Sequence, residues 1–486
     1  MTDHLKHKVL SGLFWRSLER FGTQGISFVV SIVLARLLTP ADYGIIAMIT
    51  VFIAVASVFV ESGFSTALIQ KNKVSDTDYS SVFYLSLTIA GLLYLVLFFT
   101  APWVAIFYNM PVLVWVLRLL AVSLILGAIN SIQVAVLTRE MKFYLTFKVS
   151  IITVFATGIT GITLAYMGYG VWSLVWSILV GQICSTIAFW FTVNWRPKLL
   201  FSWQALRTLF GFGSNLLGSG LLDTIFTNLY PLIIGKLFDA TILGYYTRGR
   251  SIPGLAADSI NGTIAGVMFP ALSSCQEDRV RVKSIVRRMI VTTCFFVFPM
   301  MFGLAVIAKP LVLVLLTDKW LPCVPFLQLA CVNFAFLPVT VANLQAITAV
   351  GRSDIFLILE IIKKSLILAT ILLTFRHGVM AMVIGQTILA PACILINGWP
   401  NKRLLNYSPY EQIKDIAPTL LLGSGMGALV WGVGWLIPNT YLQLITQIIF
   451  GSSVYFAGAK LLKFESAEYM WRTGCQMLGP QFKRFD

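Results

Sequence analysis

The residues of this sequence that could do chemistry are ionisable side chains set inside long apolar runs. They are Arg16, Glu19 and Arg20; Glu61; Arg118; Asp223; Arg248, Arg250 and Asp258; and Glu360, Lys363 and Lys364. A charge at the centre of a bilayer costs about 2.5–3.5 kcal/mol on insertion scales, so a retained one is a functional candidate by default. Buried cations can replace the water around a phosphate. Buried acids can pair with those cations or carry a coupling proton.

Arg16 and Arg20 lie four apart and share one helix face, with Glu19 beside it. They read either as an interfacial salt-bridged turn or as a first contact for an anionic lipid headgroup. Arg248 and Arg250 are two apart, so they point to different faces. Arginine suits phosphate because its planar fork binds bidentately and stays charged; snorkelling to the surface is the other reading. Asp223 and Asp258 either pair with these arginines or carry a coupling proton. Glu360, Lys363 and Lys364 have the spacing of a local ion cluster. Arg118 follows a proline near one surface and reads as snorkelling. Glu61 precedes Ser62-Gly63 and either lines a cavity or reaches the interface. The substrate-binding candidates are therefore Arg16, Arg20, Arg248 and Arg250, and the coupling or charge-pair candidates are Glu61, Asp223, Asp258 and Glu360. Trp172, Trp176, Phe226, Tyr230, Tyr245 and Tyr246 could stack on sugars if they face a cavity.

Enzyme signatures fare worse. Asp76-Thr77-Asp78 has the D-x-D form of a metal–sugar-nucleotide site, but Ser75 and Asp78 also make an S-x-x-D capping box at a helix start. No G-x-x-x-x-G-K-[ST] phosphate loop and no H-E-x-x-H occur. The 7 cysteines form no C-x-x-C pair and sit mostly in apolar runs, as small core residues do. The expectation is no enzyme, no cofactor and no metal.

These residues must be positioned by membrane helices. Of 486 residues 58% are hydrophobic and 12% charged, with mean hydropathy +0.84; soluble domains carry about 25% charge. The first apolar run is too long and too charged for a cleavable signal. Apolar runs of about 20 residues or more predict about 14 spans, near 12–38, 42–70, 79–107, 112–138, 145–167, 170–194, 207–235, 241–274, 285–307, 322–350, 354–375, 378–397, 415–436 and 441–462. Lys309–Thr317 is too short to cross. The loops on one side hold about 24 Lys and Arg; the other side holds only Arg36, Lys236, Lys309, Lys319 and Arg376. The rich side is then cytoplasmic, with both termini. The net charge of +16 belongs to this bias and to anionic lipid rather than to nucleic acid. No loop is long enough to fold as an enzyme domain.

Two local matches recur about 200 residues apart. VLARLLTPADYG (Val33–Gly44) matches IIGKLFDATILG (Ile233–Gly244), and GVWSLV (Gly170–Val175) matches GVMAMV (Gly378–Val383). They imply six spans repeated, with two appended. Six is even, so the halves would be parallel repeats, as in transporters that bind substrate between two lobes and rock them. The expected division is an N-lobe at 1–200, a C-lobe at 201–404, and two further helices with a cytoplasmic tail at 405–486.

VLARLLTPADYG, ESGFSTALIQK (Glu61–Lys71), VMFPALSSCQED (Val267–Asp278), KPLVLVLLTDKWLPCVPFLQLACV (Lys309–Val332) and AVGRSDIFL (Ala349–Leu357) follow one another in an order that resembles the polysaccharide-transport branch of the multidrug/oligosaccharidyl-lipid/polysaccharide exporter superfamily. The likeness is to colanic-acid-exporter-like, Wzx-type flippases over about residues 8–400. It implies two six-helix lobes around a central cavity. It also implies transport of an undecaprenyl-pyrophosphate-linked oligosaccharide repeat unit across a bacterial inner membrane, for lipopolysaccharide or exopolysaccharide assembly. The partners would be that lipid-linked oligosaccharide, membrane lipid, and polymerase or synthesis enzymes of the pathway. A proton- or sodium-coupled multidrug exporter is the alternative. A polymerase or ligase is a third reading, disfavoured by the short outer loops.

Overall fold

A computed structural model describes residues 3–61, 67–69, 71, 74–273, 275, 277–462 and 464. Among the described residues every regular element is a helix, with no strand. In chain order the helices are α1 (Asp3–Leu37), α2 (Pro40–Glu61), α3 (Asp76–Tyr108), α4 (Leu113–Leu120), α5 (Val122–Arg139), α6 (Phe143–Tyr166), α7 (Val171–Thr192), α8 (Trp203–Thr227), α9 (Leu229–Leu237), α10 (Ala240–Ser273), α11 (Arg279–Val306), α12 (Ala308–Leu316), α13 (Val324–Ala335), α14 (Leu337–Ala349), α15 (Ser353–Thr374), α16 (Val379–Leu405), α17 (Pro409–Gly434) and α18 (Thr440–Leu461).

Among them, 12 spans are long and apolar enough to cross a membrane. Three are composite: α4 with α5, α8 with α9, and α13 with α14. Two further helices, α10 with 34 residues and α15 with 22, fall outside that set. At 1.5 Å per residue both exceed the roughly 30 Å hydrocarbon core. α15 carries Glu360, Lys363 and Lys364, and α10 carries Arg248, Arg250 and Asp258. Counting them gives the fourteen that the sequence predicts, in a multi-pass membrane protein. α12, with 9 residues, is too short to span.

Polar residues sharpen the helix ends. Ser75 and Asp78 form a reciprocal capping box on α3, so the D-x-D is a helix start. Ser408 and Glu411 do the same for α17, and Asp278 and Asn439 cap α11 and α18. Each satisfies backbone N–H groups that a helix start leaves unpaired.

The chain divides into two compact units, Met1–Thr247 and Arg248–Asp486. Within the second, α17 is tied to α14 and α16 by buried amides. Asn343 donates to Gln412 at 2.7 Å and accepts from Gln412 at 2.9 Å and from Asn401 at 2.7 Å. All three side chains are inaccessible to solvent. Cys294, Cys323 and Cys331 are buried too, in the role of small core residues.

The repeat extends to turn geometry. Met141 and Gly351 both close helices at positive φ, 56° and 81°. In each turn the next residue donates from its backbone to a carbonyl five residues back, Lys142 to Leu137 and Arg352 to Ile347. Arg118 donates to the carbonyl of Phe98 at 3.2 Å, and 210 positions on Gln328 donates to that of Ala305 at 3.1 Å.

Candidate functional site

α15 concentrates intramembrane charge. Its first residue is Ser353, which puts Glu360 about 10 Å and Lys363 and Lys364 about 15 Å along the axis. All three lie in the first twelve residues of a 22-residue helix. Glu360 bonds the Lys363 ammonium, and its other oxygen lies 3.9 Å from Lys364 Nζ. The three side chains are largely shielded. Glu360 and Lys363 lie within electrostatic reach of Cys393 on α16. The face turned away from them exposes Ile358, Ile361 and Leu372, as a lipid-facing stripe does. One carboxylate lies within reach of two ammonium groups, in a setting where charge is expensive.

α10 holds two cations in different surroundings, as their spacing of two requires. Arg248 is buried, close enough to Cys323 for electrostatic coupling. The helix is pressed there against the start of α13: a methyl on Gly249 would lie 2.8 Å from the Cys323 carbonyl oxygen. Arg250 is partly exposed, its guanidinium 5.3 Å from the Phe334 ring of α13. Of the two, Arg250 has the more open position.

The other candidates are dispersed. Arg20 is exposed on α1. Its neighbour Glu19 accepts from the Ser150 hydroxyl of α6 at 2.8 Å, which ties the two helices together. Asp223 is exposed on α8. The side chains of Arg16, Glu61 and Asp258 lie outside the described residues. Arg118 is engaged with the Phe98 carbonyl and stacks over the Phe98 ring at 4.2 Å, a structural role. Among the aromatics, Tyr230 and Tyr246 are buried, while Trp176 is exposed.

Sequence reasoning did not foresee that the two copies of the first repeat touch. A methyl on Gly44 would lie 1.7 Å from the Ala240 carbonyl oxygen, and one on Gly244 would lie 1.9 Å from that of Pro40. Ala240 and Pro40 are themselves counterparts 200 positions apart, so the contact is reciprocal. Only glycine permits such backbone approach. Both helix starts are braced by aspartate: Thr39 N–H donates to Asp42 at 2.9 Å, and Ile242 N–H to Asp239 at 2.7 Å.

Comparison with known proteins adds three findings. The family model described as "Polysaccharide biosynthesis protein" matches residues 33–325. The succinoglycan biosynthesis transport protein ExoT of Rhizobium meliloti is 24% identical over 463 residues, covering 94% of this chain and 93% of its own. The lipopolysaccharide biosynthesis protein WzxC of Escherichia coli is 23% identical over 390 residues, covering 79% and 78%. Among solved structures, the lipid II flippase MurJ in an inward closed conformation superposes with a TM-score of 0.75 at 18% identity, covering 93% of this chain and 98% of that one. A multidrug resistance MATE transporter in an inward-facing conformation gives 0.61 at 12%, covering 85% and 98%. These two likenesses establish the fold.

Proposed function

The chain belongs to the polysaccharide biosynthesis protein family, in its transport branch, and we propose that it flips an undecaprenyl-pyrophosphate-linked oligosaccharide repeat unit from the inner to the outer leaflet of a bacterial inner membrane. The observation that carries this reading is the cluster of two lysines and one glutamate, Glu360, Lys363 and Lys364, shielded within α15. A pyrophosphate crossing apolar surroundings must exchange its water for fixed cations. Arg20 on α1, Arg250 on α10 and the lysines of α15 lie at different depths of their helices, and we assign them to successive contacts with the anion. Glu360 neutralises one lysine until substrate arrives. The names of ExoT, a biosynthesis transport protein, and MurJ, a flippase, agree with this reading.

In this proposal residues 1–200 and 201–404 are two lobes that alternate access to a cavity, and 405–486 are accessory. Both termini are cytoplasmic, by the distribution of Lys and Arg. The reaction needs no bond making, only binding and a change of side. Polymerase and synthesis enzymes act before and after it.

Deletion of the gene tests the proposal. Lipid-linked repeat units should accumulate on the cytoplasmic face, with surface glycan lost and then restored by the wild-type gene. Purified protein in vesicles should flip the lipid-linked unit. Units on the outer face, finished but unpolymerised, would overturn the proposal. Drug sensitivity with normal glycan would move the assignment to multidrug export.

A further inference from the structure

The second half of the segment between α7 and α8 does not bury its apolar side chains. Leu199 is 93% exposed, Phe201 58% and Trp203 70%. Exposed apolar clusters of this kind mark a surface with a partner. The segment is held in this pose rather than left loose. Trp195 is packed against Tyr79 and Phe83 of α3, with ring centroids 5.8 and 6.1 Å apart. Lys198 N–H donates to the Ser80 hydroxyl at 3.1 Å and Ser202 N–H to the Ser81 hydroxyl at 2.9 Å. Lys198 Nζ pairs with Asp76 at 2.5 Å. Between those pins the chain bends at Leu199, where Leu200 N–H donates to the Lys198 carbonyl at 2.7 Å. Leu199, Leu200, Phe201 and Trp203, the first residue of α8, are all left exposed.

Connectivity fixes the depth. The segment joins two spans on the side rich in Lys and Arg, so it lies at the membrane surface. Arg196, Lys198 and Arg207 flank the apolar triplet and are all exposed. Apolar and aromatic tips between cations match a headgroup zone that is apolar below and anionic above.

We propose that residues 199–203 are an interfacial anchor that seats in the cytoplasmic leaflet against anionic phospholipid. α3 supplies the rigid support through Ser80, Ser81 and the pocket for Trp195. The anchor holds this connection at a set depth, whatever cargo the protein moves.

Bimane attached at L199C and, separately, at F201C tests this in vesicles of phosphatidylcholine and phosphatidylglycerol, with the unsubstituted protein as the labelling control. Brominated acyl chains should lower the emission at least about twofold, while aqueous iodide has little effect. Bimane at E277C, in a polar stretch, should show the reverse. Quenching by bromolipid should weaken when phosphatidylglycerol is omitted. Strong iodide quenching with no response to bromolipid, in protein that runs as a single species, would sink the anchor. Bromolipid quenching independent of phosphatidylglycerol would overturn the anionic recognition. Shielding from both quenchers only on adding cytoplasmic extract would reassign the surface to a protein partner.

Discussion

Gly44 faces the backbone carbonyl of Ala240, and Gly244 returns the contact to Pro40, so that neither position has room for a Cβ. Two stretches that resemble each other in sequence therefore pack against each other through equivalent atoms. Under the alternating access proposed above, this backbone-to-backbone contact would be one that holds in one state and parts in the other.

Gly44→Ala or Gly244→Ala should greatly reduce export, because the added methyl forces the two helix starts apart. Overpacking of this kind costs typically about 1–3 kcal/mol. Gly91→Ala and Gly127→Ala, where a methyl meets nothing within 4 Å, should leave export and protein level unchanged. Surface glycan measured beside membrane protein abundance separates the two classes. Normal export in both Gly44 and Gly244 variants would remove the contact from the mechanism.

Glu360→Gln leaves two lysines without their shared counter-ion. Breaking a shielded pair this way should destabilise by about 1–3 kcal/mol, less than a wholly buried pair because the three side chains remain partly exposed. Glu360→Gln with Lys363→Gln should recover the lost thermal stability. Lys364→Gln should fold normally and lose flipping. A Lys364→Gln protein that flips at the wild-type rate would show that Lys364 has no part in transport.

Tyr407 lies between α16 and α17 and donates to Asp415 at 2.8 Å, while Arg287 grips the same carboxylate through two nitrogens at 2.9 and 3.0 Å. Burial first, and then the bond to Asp415, push the phenol well above its ordinary 10.0. A pKa raised on folding stabilises fully below the unfolded value and is lost as pH rises through the folded one. The contribution of Tyr407 should therefore be constant from neutral pH to about 10 and decline above it. Tyr407→Phe should lower stability by about 0.5–1.5 kcal/mol, by an amount independent of pH below that point. Melting curves of both proteins from pH 6 to 11 check this.

Asn343 joins Gln412 and Asn401 in a cluster closed to water. Asn343→Ala would leave both partners without it, and an orphaned buried amide costs about 1–3 kcal/mol. The expected result is a lower melting temperature, with α17 and α18 released to protease before the rest. Simultaneous replacement of all three by leucine should restore much of the loss, since no polar group is then left unpaired.

Much of the fold is legible in the sequence because a bilayer leaves few options. Runs of apolar residues must be helices, and Pro, Gly and charges must end them. The short Lys309–Thr317 stretch, the Ser75–Asp78 cap and the Gly170 and Gly378 helix entries all read correctly for that reason. The site is less legible. Arg248 and Arg250 look alike as letters, but one is buried by Cys323 and the other lies over Phe334. Their difference depends on α13, which is some eighty residues away in the chain. Glu360, Lys363 and Lys364 announce their mutual contact, since it is set by helical spacing. The nearness of Glu360 and Lys363 to Cys393 is set by α16 and is invisible from α15 alone. Likewise the repeat discloses that Gly44 and Gly244 are equivalent, while their mutual contact belongs to tertiary structure.

The charges of α15 bear on how the protein is made. Three ionisable groups within it cost up to about 10 kcal/mol on insertion scales, enough to oppose its leucines and isoleucines. α16 is strongly apolar and follows after only Phe375–Gly378. During synthesis α15 should therefore wait beside the translocon and enter the bilayer together with α16 as a helical hairpin. A nascent chain stopped after Phe375 would leave α15 on the ribosome side, and addition of α16 would draw it in.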